Sequence, residues 1–199
     1  MGALLDLLWG PRVAAALTGD YVSPNLAELR FRLLHRPKAF VLDLGPMCSA
    51  NLRVLLEAGC QVHCEHPTEP LAELAAAPAD PAAVVQRYRF PHEFFDAVLL
   101  WDLYDFLPAP AVVRFSAVLR AALVRGGLIH ALLRPAGGAA QAQPHRFTLQ
   151  PEPSRFSSTA LDPTLKHYSH RELRPLFPGL LLRRRTHQPD GLRDLLLSR

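Results

Sequence analysis

Lysine is nearly missing from this chain. Among 22 Lys and Arg residues only Lys38 and Lys166 are lysine. The basic side is therefore arginine, set in a background of 19 prolines, and the formal charge of +4 carries little weight. No basic stripe interleaves with aromatics, and in an extended strand Arg184 would face away from Arg183 and Arg185. A nucleic-acid groove is not expected. Cysteine is scarce and odd in number at three, which excludes a disulfide framework and points to a reducing, cytoplasmic compartment. No apolar run approaches the roughly 18–20 residues of a membrane span. The first residues carry no basic stretch ahead of a cleavable apolar one, so secretion is not expected. The dinucleotide fingerprint G-x-G-x-x-G is also missing, which weighs against NAD. With 49% hydrophobic and 20% charged residues over 199 positions, a single folded domain spanning 1–199 is expected.

What is present is an alternation of strands and helices. Residues 3–18 carry Leu4, Leu5, Leu8, Trp9, Val13 and Leu17 near helical spacing, interrupted at Gly10-Pro11. Ser23-Pro24 supplies a cap and a first-turn proline for a helix from Asn25 to Leu34. Segment 1–35 is expected to act as a helical lid or an oligomer contact. Strands follow at 39–43, 61–65, 86–90, 95–100 and 127–133, with helices at 49–58, 68–77 and 109–124 between them. Such order implies parallel strands with right-handed crossovers, covered on both faces. Residues 135–168 show no periodicity, the mark of a functional loop. A helix at 169–177 and strands at 180–187 and 192–197, joined through Pro189-Asp190-Gly191, close the chain as an antiparallel hairpin. The expected fold is α/β, a doubly wound, mostly parallel, seven-stranded sheet with an antiparallel strand in the C-terminal hairpin.

The strand FVLDLG (40–45) ends in an acid and a glycine, and QVHCE (61–65) ends in a second acid about 20 residues on. That spacing suits the grip on a ribose. FDAVLLWD (95–102) repeats the pattern of an apolar run finishing in Asp. Together with YSHRELRPLFPGLLLRRR (168–185), these segments resemble the class I S-adenosylmethionine-dependent methyltransferase family over residues 39–199. VLDLG stands where that family places D/E-x-G-x-G-x-G, although Met47 and Ser49 replace two glycines and Pro46 removes a donor.

The resemblance implies S-adenosylmethionine as cofactor, a small-molecule substrate, and cofactor contacts from Asp43, Gly45, Met47, Asn51, Glu65 and Trp101. Asp43 would take the cofactor's amino group, or else cap a helix or stiffen the turn. Glu65 would take the ribose hydroxyls, or form a salt bridge. Asn51 would cap the first helix or reach back to Asp43, and Met47 is placed to fill space used by the cofactor's amino-acid end. Trp101 would stack on adenine or pack in the core. Asp102, Tyr104 and His130 are the candidate catalytic residues, with Asp105 next to Tyr104, and His145, His167 and Tyr168 around the long loop, as further candidates. The N/D-P-P-Y pattern of enzymes methylating bases or glutamine is missing, which argues against those substrates. Cys60, His63, Cys64 and His66 invite a metal, but Cys60 and Cys64 on one strand lie roughly 13 Å apart, too far to share zinc. No metal site is expected. The competing expectation is a protein of this fold that has lost catalysis, binds no cofactor, and serves as a binding or assembly subunit with a protein partner.

Overall fold

A computed structural model describes residues 19–65, 88–135, 141–162 and 165–199. The helices expected within 3–18 and at 68–77 lie outside the described residues. The chain enters through β1 (Gly19–Val22) and α1 (Pro24–Leu34). Ser23 caps α1 by accepting the Leu26 N–H at 2.8 Å, and Pro24 opens its first turn. Next come β2 (Phe40–Asp43), α2 (Ser49–Glu57), β3 (Gln61–Cys64), β4 (Phe95–Trp101), a 3-10 turn at Leu103–Phe106, α3 (Ala109–Ala122) and β5 (Leu123–Leu133).

The main sheet has six strands among the described residues. With β10 (Leu181–His187) and β11 (Arg193–Ser198) at one end, its order is β10-β11-β5-β4-β2-β3. The pairs β3–β2, β2–β4 and β4–β5 are parallel, while β11 runs antiparallel to both β5 and β10. Alternation along each strand sorts its side chains onto two faces. Val98, Leu100, Ile129 and Leu197 meet Phe115 and Leu119 of α3. Val41, Ala97, Leu99 and Leu128 meet Leu26, Leu29 and Leu33 of α1. Each of these buried Val, Leu, Ile and Phe side chains stabilises the fold by about 1.5–3 kcal/mol relative to exposure.

Four expectations are corrected. Residues 88–90 run as irregular chain and not as a strand. Pro91 lacks a ladder donor there, and Tyr88 and Phe90 instead pack their rings against the α3-side core, Tyr88 5.0 Å from Phe115. The helix expected at 169–177 is reduced to a 3-10 turn at Arg174–Leu176. Pro175 disfavours helical torsions at the residue before it, and the preceding backbone is held elsewhere: Tyr168 N–H donates to Asp105 O and Arg193 donates to His170 O. The long loop at 135–168 contains strands. β6 (Gln141–Ala142) pairs with β9 (Leu165–Lys166), and β7 (His145–Leu149) pairs with β8 (Arg155–Ala160), which pairs in turn with β1. The alternation of Arg183–Arg185 is broken by a bulge between Leu182 and Arg184, so both Arg183 and Arg184 reach Glu28, at 4.0 and 2.9 Å.

The three-stranded sheet, in order β1-β8-β7, covers part of the face under α1 with Tyr21, Phe147, Leu149 and Phe156. The turn between β10 and β11 places Gly191 at φ +83°, a torsion that favours glycine, with Asp190 accepting the Leu192 N–H.

Candidate functional site

From β2 the chain crosses outward to β3 and then returns to β4 on the other side of β2. Such a reversal opens a crevice at the carboxyl ends of the strands, the usual ligand position in open α/β sheets. Asp43 ends β2, Glu65 follows β3, and Trp101-Asp102 ends β4. The sheet therefore brings the predicted acids to one edge.

Asp43 is buried and its Oδ1 is already engaged. It accepts the Trp101 indole N–H at 2.7 Å and the Gly45 N–H at 3.0 Å. Burial pushes its carboxyl above the usual range, against the pull of the bonds from Trp101, Gly45 and Asn51. Trp101 is buried in left-handed backbone at φ +50°. Its indole lies over Gly45, so that a Cβ there would stand 2.4 Å from its Cδ1. Met47 points to solvent, 68% exposed. The expectation that its thioether fills the hollow fails, because the loop between β2 and α2 turns it outward.

β7 fills the crevice. Phe147 stacks on Trp101 with ring centroids 5.4 Å apart and planes 9° from parallel. Asn51 does not cap α2, whose N-cap is Cys48 without a side-chain bond. Its amide donates to Phe147 O at 2.9 Å and accepts the Leu149 N–H at 2.7 Å. Cys48 Sγ lies 3.7 Å from Thr148 Oγ1. Glu65 is half exposed, and its carboxylate lies 3.4 Å from His63 Nε2.

Asp102 and Asp105 form the floor of a buried ionic cluster. Asp102 Oδ2 accepts the His145 N–H at 3.1 Å and Arg134 Nη2 at 3.3 Å. Asp105 accepts the Arg134 N–H at 2.9 Å, with Arg134 Nη1 at 3.6 Å and His167 Nε2 at 3.9 Å. Burial lifts the Asp105 carboxyl to about 7, against the pull of Arg134 and with the push of Asp102. The Arg134 guanidinium also lies 5.2 Å over Phe106. Tyr168 lies beside the cluster and takes Lys166 over its ring at 4.9 Å.

Tyr104 is fully buried away from the crevice, hydrogen bonded to Ser116 at 2.7 Å, and burial raises its hydroxyl's pKa strongly. His130 is fully buried on β5. Its Nε2 lies 3.0 Å from Asp194 Oδ1 and 3.5 Å from Ser23 Oγ. Burial resists the charge on Asp194, but His130, Ser23 and Asn25 outweigh it and hold the carboxyl below the usual range. Two of the three candidate catalytic residues thus sit in interior networks, and only Asp102 borders the crevice. Asn51's grip on β7 and the places of Arg134 and Phe147 in the site carry no local signal in the sequence. The alternation of His145, Phe147 and Leu149 was the signal available for β7.

In kind, the groups at this edge suit an adenosyl ligand: carboxylates at strand ends, a carboxamide and an indole face. In space they do not, because Phe147 and the backbone of β7 hold the positions over Trp101 and Asn51. A cavity of about 260 Å³ lies at the other end of the sheet, lined by Leu29, Phe31, Leu33, Asp96, Ala97 and Leu128 among others.

No protein-family model matches the sequence, and no curated protein matches it. Solved structures do. An S-adenosylmethionine-dependent methyltransferase from Mesorhizobium loti aligns at 17% identity and TM-score 0.56, covering 86% of this chain and 96% of that one. An S-adenosylmethionine-dependent methyltransferase from Leishmania major aligns at 18% identity and TM-score 0.51, covering 86% and 70%. A Rhodobacter sphaeroides protein assigned as a zinc-dependent alcohol dehydrogenase aligns at 14% identity and TM-score 0.53, covering 89% and 92%. Likeness at this level carries architecture and not activity. With the strand order and the antiparallel β11, it shows that the chain has the class I S-adenosylmethionine-dependent methyltransferase fold.

Proposed function

We propose that this chain is a methyltransferase-like protein that takes S-adenosylmethionine at the carboxyl edge of its sheet and acts on a small molecule. One observation carries this conclusion. Asp43, Glu65 and Asp102 end or follow three adjacent strands at the point where strand order reverses. Asp43 and Asp102 are satisfied within the molecule by Trp101, Gly45, Arg134 and His145, and the half-exposed Glu65, beside His63, is the acid at this edge within reach of a ribose. Asp102, as the candidate closest to the reacting groups, would orient the substrate. Methyl transfer draws most of its acceleration from placing two reactants in line, so a base is needed only where the nucleophile keeps its proton.

A second reading is favoured by the engagement of the same groups. Asp43 serves Trp101 and Gly45, Tyr104 serves Ser116, and His130 serves Asp194. A protein of this fold without catalysis, acting as a binding or assembly subunit through residues 1–35, would keep such an arrangement. No described helix is long and apolar enough to cross a membrane, and neither reading calls for one.

Calorimetric titration with S-adenosylmethionine and S-adenosylhomocysteine separates the two. The leading reading expects both to bind, with affinity at least tenfold weaker in Glu65→Ala, the loss of a charged hydrogen-bond partner. If neither ligand binds or raises the melting temperature, the subunit reading takes its place.

A further inference from the structure

β10 is the outer strand of the main sheet, paired to β11 on one side and to no strand on the other among the described residues. It is exposed from Leu181 to His187, except at Thr186, which is half-buried. Such a strand presents a row of unpaired N–H and C=O groups. Its cross-strand partners show which face each side chain takes. Arg184 lies opposite Leu196 on the face under α1, and the bulge turns Arg183 to the same side. Leu182 and Arg185 lie opposite Leu197 and Leu195, on the α3 face.

Charge along this edge has one sign. Arg32 of α1, Arg183 and Arg184 converge on Glu28, at 3.2, 4.0 and 2.9 Å. Three guanidinium groups on one carboxylate leave two positive charges unmatched, and the exposed Arg185 adds a third on the other face. Charged side chains can guard an open edge against pairing. Here Arg183 and Arg184 are drawn over α1 instead, Arg184 also donating to the Pro24 carbonyl at 3.4 Å, so the ladder itself stays uncovered. Leu181 and Leu182, 66% and 38% exposed, add apolar surface at one end of the strand. A second copy of the chain is a poor occupant, because two-fold pairing of β10 with itself sets arginine against arginine.

We infer that β10 takes an extended acidic segment of a partner protein as an added strand, its backbone pairing with the open ladder, its carboxylates meeting Arg183 and Arg184, and an apolar side chain covering Leu182. Main-chain bonds supply affinity in such an arrangement and side chains select the partner. The guanidinium fork matches a carboxylate in two parallel bonds, which favours Asp or Glu in the incoming strand. Occupancy of this edge is independent of whether the crevice takes a cofactor.

A fluorescent synthetic peptide of alternating Glu and Val, titrated against the full chain by anisotropy and followed by hydrogen exchange, tests this. The peptide should bind and slow exchange at the β10 amides about tenfold, leaving those of β3 at the opposite edge unchanged. The double variant Arg183→Thr with Arg184→Thr should bind it roughly tenfold more weakly, the effect of two lost charge pairs. Arg183→Thr alone, which leaves the Arg184–Glu28 pair, serves where the double variant fails to fold, and should also weaken binding. The same peptide N-methylated at alternate residues keeps its charge but cannot join the ladder, and should bind roughly tenfold more weakly. Equal affinity for the N-methylated peptide would reduce the contact to diffuse attraction and overturn strand addition. Equal affinity in the variants, or no binding by the parent chain, overturns the proposal as a whole. Self-association that protects β10 without peptide would make a second copy the occupant and overturn the acidic partner.

Discussion

Trp101 combines three constraints that rarely meet in one side chain. Its backbone is left-handed, a conformation costing a bulky residue on the order of 1–3 kcal/mol. Its N–H is committed to the buried Asp43 carboxylate, and its ring is clamped between Gly45 and Phe147. Gly45 is therefore required where it stands: an added Cβ would come within 2.4 Å of indole Cδ1 and 2.6 Å of Nε1. The indole cannot retreat without losing Asp43 or the Phe147 stack. Gly45→Ala should lower stability by about 1–3 kcal/mol, as overpacking in a full core does. Urea unfolding would read this as a lower midpoint at unchanged slope, and an unchanged midpoint would count against the clamp. The sequence marked Gly45 as the surviving motif glycine and Trp101 as a site residue. It could not place one on the other, because that contact bridges β2 and β4 through tertiary packing alone.

At the level of elements, legibility followed the strength of local signals. The helix beginning at Pro24 was readable because Ser23-Pro24 is a cap with its mechanism visible, and β4 and β5 because their apolar runs need cover on both faces. β1 hid because one buried side chain, Tyr21, gives no period. β7 hid because His145 occupies one of its inward positions and Pro144 and Pro151 flank it, so that a period of two read as an irregular stretch. The cap at Ser23 also joins two layers. Its Oγ accepts the Leu26 N–H and lies 3.5 Å from His130, and its own N–H donates to Ser154 O beside β8. Ser23→Ala should cost about 1 kcal/mol from the lost cap. Thermal or urea unfolding checks this, and a Ser23→Asn variant, which retains a capping oxygen, should recover most of the loss. Failure of Asn to recover it would assign the loss to the contact with His130.

Across the whole molecule, buried acids set opposing dependences on pH. Asp194 is held ionised by His130, Ser23 and Asn25, so its contribution is present above the unfolded carboxylate range and disappears as acid protonates it. Asp105 behaves in the other sense. Its carboxyl titrates near 7 in the folded chain against about 3.8 unfolded, chiefly because burial disfavours its charge. Between those values the folded chain binds the proton that the unfolded chain has released, so raising the pH through this window lowers stability. Asp43, also raised by burial, adds to that slope, whereas His170, lowered by burial, opposes it below its unfolded value near 6.5. Comparing the parent chain with Asp105→Asn cancels both, because the carboxamide keeps an acceptor for the Arg134 N–H and does not titrate. The variant should gain on the parent by an amount on the order of 1–4 kcal/mol between pH 4 and 7, and the gap should then stay level above 7. Urea midpoints across pH 4 to 8 measure it. A gap that does not change with pH would mean that Arg134 keeps Asp105 ionised throughout, and the cluster beneath the crevice would then be a permanent ion pair that neither gains nor loses a proton near neutrality.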